Sequence, residues 1–287
     1  MKPLNIPVVA LGPGSQPMDI EDAPNLLDLP RDISGFVMPQ VPESRDGAAF
    51  ESVRGVIRQL VATLSAHEAG SRPYPRLELT SLDAKSIELL NQTLLDGEVS
   101  ALLTGRRGTV KIQETNFAGV WRLLHYNPAG ELTRDCLEAC PVPDAIPDYA
   151  ADAAAPGLEP APPPRGAMNS PPVLHEIREQ AAAYVPGQPA HVVNLTLLPM
   201  SSQDSEYLNQ ALPAGPVAVL SRGYGKCRVS STVLRNVWRV QYFNNMNTLI
   251  LNTVEVVDIP EVVKAAREDI DDSLNRLREL LEWMEQE

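Results

Sequence analysis

Cys136 and Cys140 stand four residues apart, and Cys227 is the remaining cysteine. On one face of a helix or strand, two thiols at that spacing offer a start for a metal site, so an iron–sulfur or metal carrier is the chemistry they suggest. Such a site needs further ligands, and the residues after Cys140 supply mainly Pro, Ala and Asp. Free cysteine also packs well as a small hydrophobe, which makes two half-buried core residues the simpler reading, with Cys227 packing in a strand. The four histidines, His67, His125, His175 and His191, have no second ligand at helical or hairpin spacing. No phosphate-cradling glycine loop, G-x-S-x-G elbow or H-E-x-x-H helix occurs. No catalytic residue, metal site or cofactor is assigned, and the chain reads as a non-enzyme. An unrecognised active site would show itself as a deep pocket with perturbed carboxylates.

Ser221-Arg222-Gly223-Tyr224-Gly225 offers a different chemistry. Paired glycines accept positive φ at no steric cost and so place Arg222 and Tyr224 at a hairpin tip. Arg and Tyr anchor interfaces well, so this tip suits recognition; a plain tight turn explains the glycines equally. The partner-binding candidates are Arg222, Gly223, Tyr224 and Gly225, with Asn236 and Arg239 nearby in sequence.

What must position these residues is a duplicated chain. With one gap opposite Arg107, residues 90–127 align with 208–244 at 14 identities in 37 pairs, far above the two or three that composition alone gives. Leu90-Asn91-Gln92 matches Leu208-Asn209-Gln210, Gly97 matches Gly215, and Val120-Trp121-Arg122 matches Val237-Trp238-Arg239. Trp121 and Trp238 are expected in the two cores, with Arg122 and Arg239 facing outward or pairing with acids. A helical stretch at 50–66 parallels one at 173–184, each followed by a short strand. The expected fold class is α+β: two tandem homologous domains, each helix–strand–helix followed by an antiparallel meander. Residues 1–46 read as an extended arm with one short strand near Phe36–Met38, 47–144 as the first repeat, 145–172 as an extended Pro/Ala-rich linker, and 173–287 as the second repeat. A long C-terminal helix is expected, capped by Asp258 with Pro260 in its first turn. Val263, Ala266, Ile270, Leu274, Leu277 and Leu281 would face the sheet of its own domain. Duplication permits a pseudo-dimer within one chain, and it equally permits a homodimer that swaps halves through the linker.

The 287 residues carry 24 basic and 37 acidic side chains, net −13. That balance repels phosphate backbones and anionic membranes, so no nucleic-acid or membrane partner is expected, and a basic peptide is. An odd cysteine count, no apolar run near 18 residues and no signal-peptide core make the cytoplasm the expected location.

An ordered set of motifs then carries a resemblance over nearly the whole chain. It comprises Leu11-Gly12-Pro13-Gly14-Ser15-Gln16-Pro17, Gly97-Glu98-Val99-Ser100, Gly119-Val120-Trp121-Arg122, and the Pro162-Pro163-Pro164 spacer with Met168-Asn169. Asn194 to Ser201, Gly223-Tyr224-Gly225, and Pro260-Glu261 followed by Ala265-Ala266-Arg267-Glu268-Asp269 with Asp272-Ser273 complete it. The set resembles the HupH/HyaF-type hydrogenase expression proteins, called HoxQ in another naming scheme. The resemblance implies a non-enzymatic accessory chaperone of [NiFe] uptake hydrogenase maturation. Its implied client is the iron–sulfur small-subunit precursor, held before assembly with the large subunit and twin-arginine export. A thioredoxin-like accessory protein of the HyaE/HupG type is the implied second partner.

Overall fold

The computed structural model describes residues 47–66, 72–154, 160–223 and 225–286. The expected N-terminal arm and the Tyr224 candidate lie outside the described residues. The first half runs α1 (Ala48–Ala66), β1 (Arg76–Glu78), α2 (Ala84–Leu94), β2 (Asp96–Gly105), β3 (Gly108–Thr115), β4 (Val120–Tyr126) and β5 (Leu132–Ala139). After α3 (Ala145–Asp152), the second half repeats the order. It runs α4 (Ser170–Ala183), β6 (His191–Asn194), α5 (Ser202–Ala211), β7 (Ala214–Ser221), β8 (Lys226–Thr232), β9 (Val237–Phe243) and β10 (Leu249–Val256), and α6 (Arg267–Glu285) closes the chain.

All ten strands form one sheet in the order β1-β5-β4-β3-β2-β7-β8-β9-β10-β6, antiparallel at every junction. The halves meet at β2–β7, where Ala101 pairs with Val219, Val99 with Ser221 and Leu103 with Val217. Ala101 and Val219 hold the same place in the two copies, so a pseudo-twofold axis passes between them. The duplicated chain is thus a dimer-like pair within one molecule.

The two copies agree in detail. Both meanders slip register at the same point, between Asp96 and Ser100 in β2 and between Ala214 and Ala218 in β7. A Cβ on Gly97 would collide with the Thr115 carbonyl, and one on Gly215 with Ser231 Oγ, so both bulges need glycine. Trp121 and Trp238 are buried as expected. Trp121 Nε1 donates to the Cys140 carbonyl at 2.9 Å, and Trp238 Nε1 to the Val257 and Asp258 carbonyls at 3.1 Å each. Arg122 bonds Asn91 of α2, and Arg239 bonds the equivalent Asn209 of α5.

The sheet has two dressed faces. One carries Trp121, Trp238, Ile112 and Val229 in a core shared by both halves. On the other face each half has its own core. Val120 and Leu137 lie under α1 and α2, and Val237, Val254 and Val256 lie under α4 and α5. The expected cap Ser201 starts α5 through a reciprocal box with Asp204. Asp204 also accepts from the Asn169 and Ser170 backbone N–H groups at 2.8 and 2.9 Å and from Ser170 Oγ at 2.9 Å, which ties the starts of α4 and α5 together.

Three expectations are corrected. The spacer at 145–172 is not extended throughout. It opens with α3, whose Pro147 sits in the first turn, where its missing N–H costs nothing, and whose Ile146 is fully buried. The final helix begins at Arg267 instead of beside Asp258. Residues 261–263 make a single 3-10 turn, Lys264 is extended, and the Ala265 N–H donates to the Pro141 carbonyl at 2.9 Å. Finally, α6 covers the first half. Leu277 and Met284 pack with Phe50, Val53 and Ile57 of α1. That helix offers apolar side chains on a wide arc, with Val61 and Leu64 beside the buried stripe, whereas α4 buries only Val173, Leu174 and Ile177 of its apolar residues.

Candidate functional site

Where the halves meet, a cleft of about 420 Å³ opens on the tryptophan face. Four stretches far apart in sequence, with Tyr242 of β9, build it: the start of β2, the end of β3 with the β3–β4 connection, the β7–β8 hairpin, and residues 261–269 leading into α6. Its walls include Glu98, Glu114, Gly223, Cys227, Tyr242 and Asp269. The other hollow of note, about 40 Å³ beside Asn91, Gln113 and Arg122, has room for water alone.

The cleft is acidic. Glu98, Glu114, Glu261 and Asp269 face the single base Lys264, which is held 2.8 Å from Glu261. Glu114 is 7% exposed and makes no ion pair among the described residues. Burial, with the Glu98 and Asp269 carboxylates nearby, pushes its pKa up to about 7 against the pull of backbone N–H groups of Gly119 and Val99. This is a perturbed carboxylate in a cleft. General acid–base work would also need a reacting group within reach, and its hydrogen-bond partners here are backbone amides. The Cys227 thiol, cross-strand neighbour of Tyr242, is raised to about 11 by burial.

Among the sequence candidates, Gly223 and Gly225 line the cleft. A Cβ on Gly223 would collide with Glu98 Oε2, so that glycine lets the carboxylate lie against the hairpin. The Arg222 N–H donates to the Glu98 carbonyl at 3.1 Å, and its buried Nε has no hydrogen-bond partner. Asn236 and Arg239 are not brought to this place. Asn236 sits at φ 59 before β9, its carbonyl accepting from the Val257 N–H at 2.8 Å. Arg239 lies on the other face, beside α5, where burial lowers its pKa. Glu98 and Asp269 fall in two separate stretches of the family resemblance and Glu114 in none, so no sequence signal gathers the three acids.

The cysteines offer no thiolate. Cys136, Cys140 and Cys227 are all at most 2% exposed, and burial raises Cys136 to about 12 and Cys140 well above the ordinary thiol range. Among the described residues, no group of three or more His, Cys, Asp or Glu side chains is placed to hold a metal ion.

The HupH hydrogenase expression protein C-terminal conserved region matches this chain twice, over residues 52–157 and 167–284. The chain belongs to the HupH hydrogenase expression protein family. The two matches of one region fall on the two halves of the sheet. The hydrogenase expression/formation protein HoxQ of Cupriavidus necator is 44% identical over 285 residues, 99% of each chain. HupQ of Azotobacter chroococcum, another hydrogenase expression/formation protein, is 40% identical over 280 residues, 96% of each chain. The solved HupH hydrogenase expression protein from Thiobacillus denitrificans is 27% identical, with a TM-score of 0.37, covering 41% of this chain and 97% of that one. Membership of the HupH family supports a role in hydrogenase maturation. No helix among the described residues is long and apolar enough to cross a membrane.

Proposed function

We propose that this protein is an accessory chaperone of [NiFe] uptake hydrogenase maturation. It binds the iron–sulfur small-subunit precursor in the cytoplasm, before that subunit joins the large one and leaves by twin-arginine export. It transforms nothing itself. A thioredoxin-like accessory protein of the HyaE/HupG type acts alongside it. The observation that carries this reading is the acidic cleft at the junction of the halves, lined by Gly223 and Gly225, in a chain whose relatives are hydrogenase expression/formation proteins. A net charge of −13 favours encounter with basic segments, and the apolar part of the cleft adds affinity. The test is co-purification of the tagged full-length protein from cells that express the hydrogenase small-subunit precursor. Stoichiometric capture of the precursor is expected, with none of the assembled large–small pair. Failure of the wild-type protein to retain the precursor refutes the reading.

A further inference from the structure

The match between the halves continues past the meander. The Cys140 N–H donates to the Gly119 carbonyl and the Val257 N–H to that of Asn236, both at 2.8 Å. Ile146 N–H then donates to the Pro143 carbonyl at 3.0 Å, and Val263 N–H to that of Pro260 at 3.1 Å. Val142 and Ile146 enter the shared core from one side, Ile259 and Val263 from the other. Residues 140–146 and 257–263 are therefore the same element on the two sides of the pseudo-twofold axis.

Beyond that point the copies part. In the first half α3 continues, and the ring of Tyr149 lies 3.2 Å from where a Cβ of Gly105 would stand. The Arg107 guanidinium covers that ring, 5.0 Å from its centroid. In the second half the chain leaves the helical path at Lys264, and the position matching Tyr149 along the sequence is Ala266. Gly223 is the counterpart of Gly105, and the space over its hairpin is the acidic cleft, with Ala266 in its wall. The molecule thus shows what its own junction looks like when filled by a flat side chain, and no described residue fills the equivalent place.

We propose that this cleft receives an arginine side chain from an extended segment of a partner polypeptide, in the place that Tyr149 fills in the other half. The proposal rests on the reading that this protein binds a polypeptide client. A guanidinium is flat, as the Tyr149 ring is, and it stacks and hydrogen-bonds in one plane. Glu98, Glu114 and Asp269 come from three different elements, so their carboxylates can meet several N–H donors at once. Lys264 is held by Glu261, and none of those three acids makes an ion pair among the described residues.

The probe is a fluorescein-labelled peptide, Gly-Ser-Leu-Ala-Arg-Ala-Leu-Ser-Gly, titrated with the full-length protein and read by anisotropy. Versions with citrulline or tyrosine at the centre separate charge from shape. The citrulline peptide should bind about tenfold or more weakly, the scale of a lost charge-assisted hydrogen-bond pair. Glu98→Gln and Asp269→Asn should each weaken the arginine peptide several-fold. Ala266→Tyr, which supplies a side chain from within, should abolish binding while leaving the melting temperature unchanged. Glu279→Gln, on the exposed face of α6, should change nothing. No binding of the arginine peptide, equal binding of the citrulline or tyrosine peptide, or undiminished binding by Ala266→Tyr overturns the proposal. Capture of the small-subunit precursor separates the two readings. If wild type and Ala266→Tyr hold it equally, the cleft proposal falls and the chaperone reading stands; if wild type does not hold it, the chaperone reading falls whatever the peptides do.

Discussion

Asn252→Asp should rebuild in the second half an ion pair that the first half already has. In the first half, Arg122 Nε and Nη2 reach Asp135 Oδ1 and Oδ2 at 3.0 and 2.7 Å, with Asn91 on a third nitrogen. In the second half Arg239 keeps the matching bond to Asn209, but Asn252 stands at the position of Asp135, and its buried Oδ1 has no hydrogen-bond partner. Arg239 is thus a half-buried cation with no carboxylate partner among the described residues, and burial lowers its pKa. A bidentate, charge-assisted pair contributes roughly 1.5–3 kcal/mol net. The Arg122 and Asp135 side chains are 20% and 9% exposed, so partial screening brings the figure to about 1–2 kcal/mol. A chain of this length shifts by roughly 2 °C per kcal/mol, so Asn252→Asp should raise Tm by about 2–4 °C. Asp135→Asn should lower it by at least as much, because it leaves Arg122 unpaired. Differential scanning calorimetry at pH 7, with and without added salt, reads both. The gain should persist in salt, because a partly buried pair is screened little. A drop in Tm for Asn252→Asp, or no loss for Asp135→Asn, would show that the carboxylate does not stabilise this arginine and that the argument from the copies is wrong.

Three further outcomes are expected. The folded-state pKa of Glu114, about 7, lies above the ordinary carboxylate value of 4.5, so its contribution is fully present below pH 4.5 and lost as pH rises to 7. Glu114→Gln should therefore stabilise the protein at pH 8 by up to about 3 kcal/mol and flatten the profile from pH 5 to 8 in urea melts; a variant that is less stable than wild type at pH 8 contradicts this. Asp204 is buried, which alone would raise its pKa, yet hydrogen bonds from Ser201 and Ser170 hold it far below the usual range. The stability it supplies is present above its unfolded value near 3.8 and lost as pH falls below it. Asp204→Ala should cost about 2–3 kcal/mol, and hydrogen exchange should speed up at the Asn169, Ser170 and Ser201 amides; unchanged exchange there contradicts the reasoning. Trp121→Phe and Trp238→Phe should each cost about 1–3 kcal/mol, because each strands a buried carbonyl; strongly unequal losses would argue against equivalent roles.

Much of the fold is legible in the sequence because the duplication repeats its own signals. Matched glycines, tryptophans and asparagines mark the bulges, cores and turns of both meanders. The Ser201 and Asp204 spacing marks a helix start through local chemistry alone. The partner of α6 is not legible in the same way. Its apolar stripe fits any apolar surface, and the choice of the first half is set by the breadth of α1 and by the Ala265–Pro141 bond, which is a tertiary contact. Pro-rich composition likewise hides α3, because Pro147 falls in the one turn where proline is harmless. The hairpin glycines point to the right region, whereas Arg239 misleads, since adjacency in sequence ignores the alternation of strand faces. Glu98, Glu114 and Asp269 become neighbours only when β2, β3 and α6 are assembled. A longer alignment of the copies, through Val142-Pro143 and Ile259-Pro260, would have set Tyr149 against Ala266 and marked the asymmetry.

The β2–β7 seam also bears on how such a molecule can change over generations. In a dimer of identical chains every inherited substitution appears on both sides of the axis, so a residue that plugs one hollow plugs its twin. Joining the copies in one gene lifts that restriction, and each side can then drift under its own selection. One side carries a built-in stopper, while the other lacks it and carries carboxylates instead. That unequal inheritance is open to a fused pair and closed to a symmetric one.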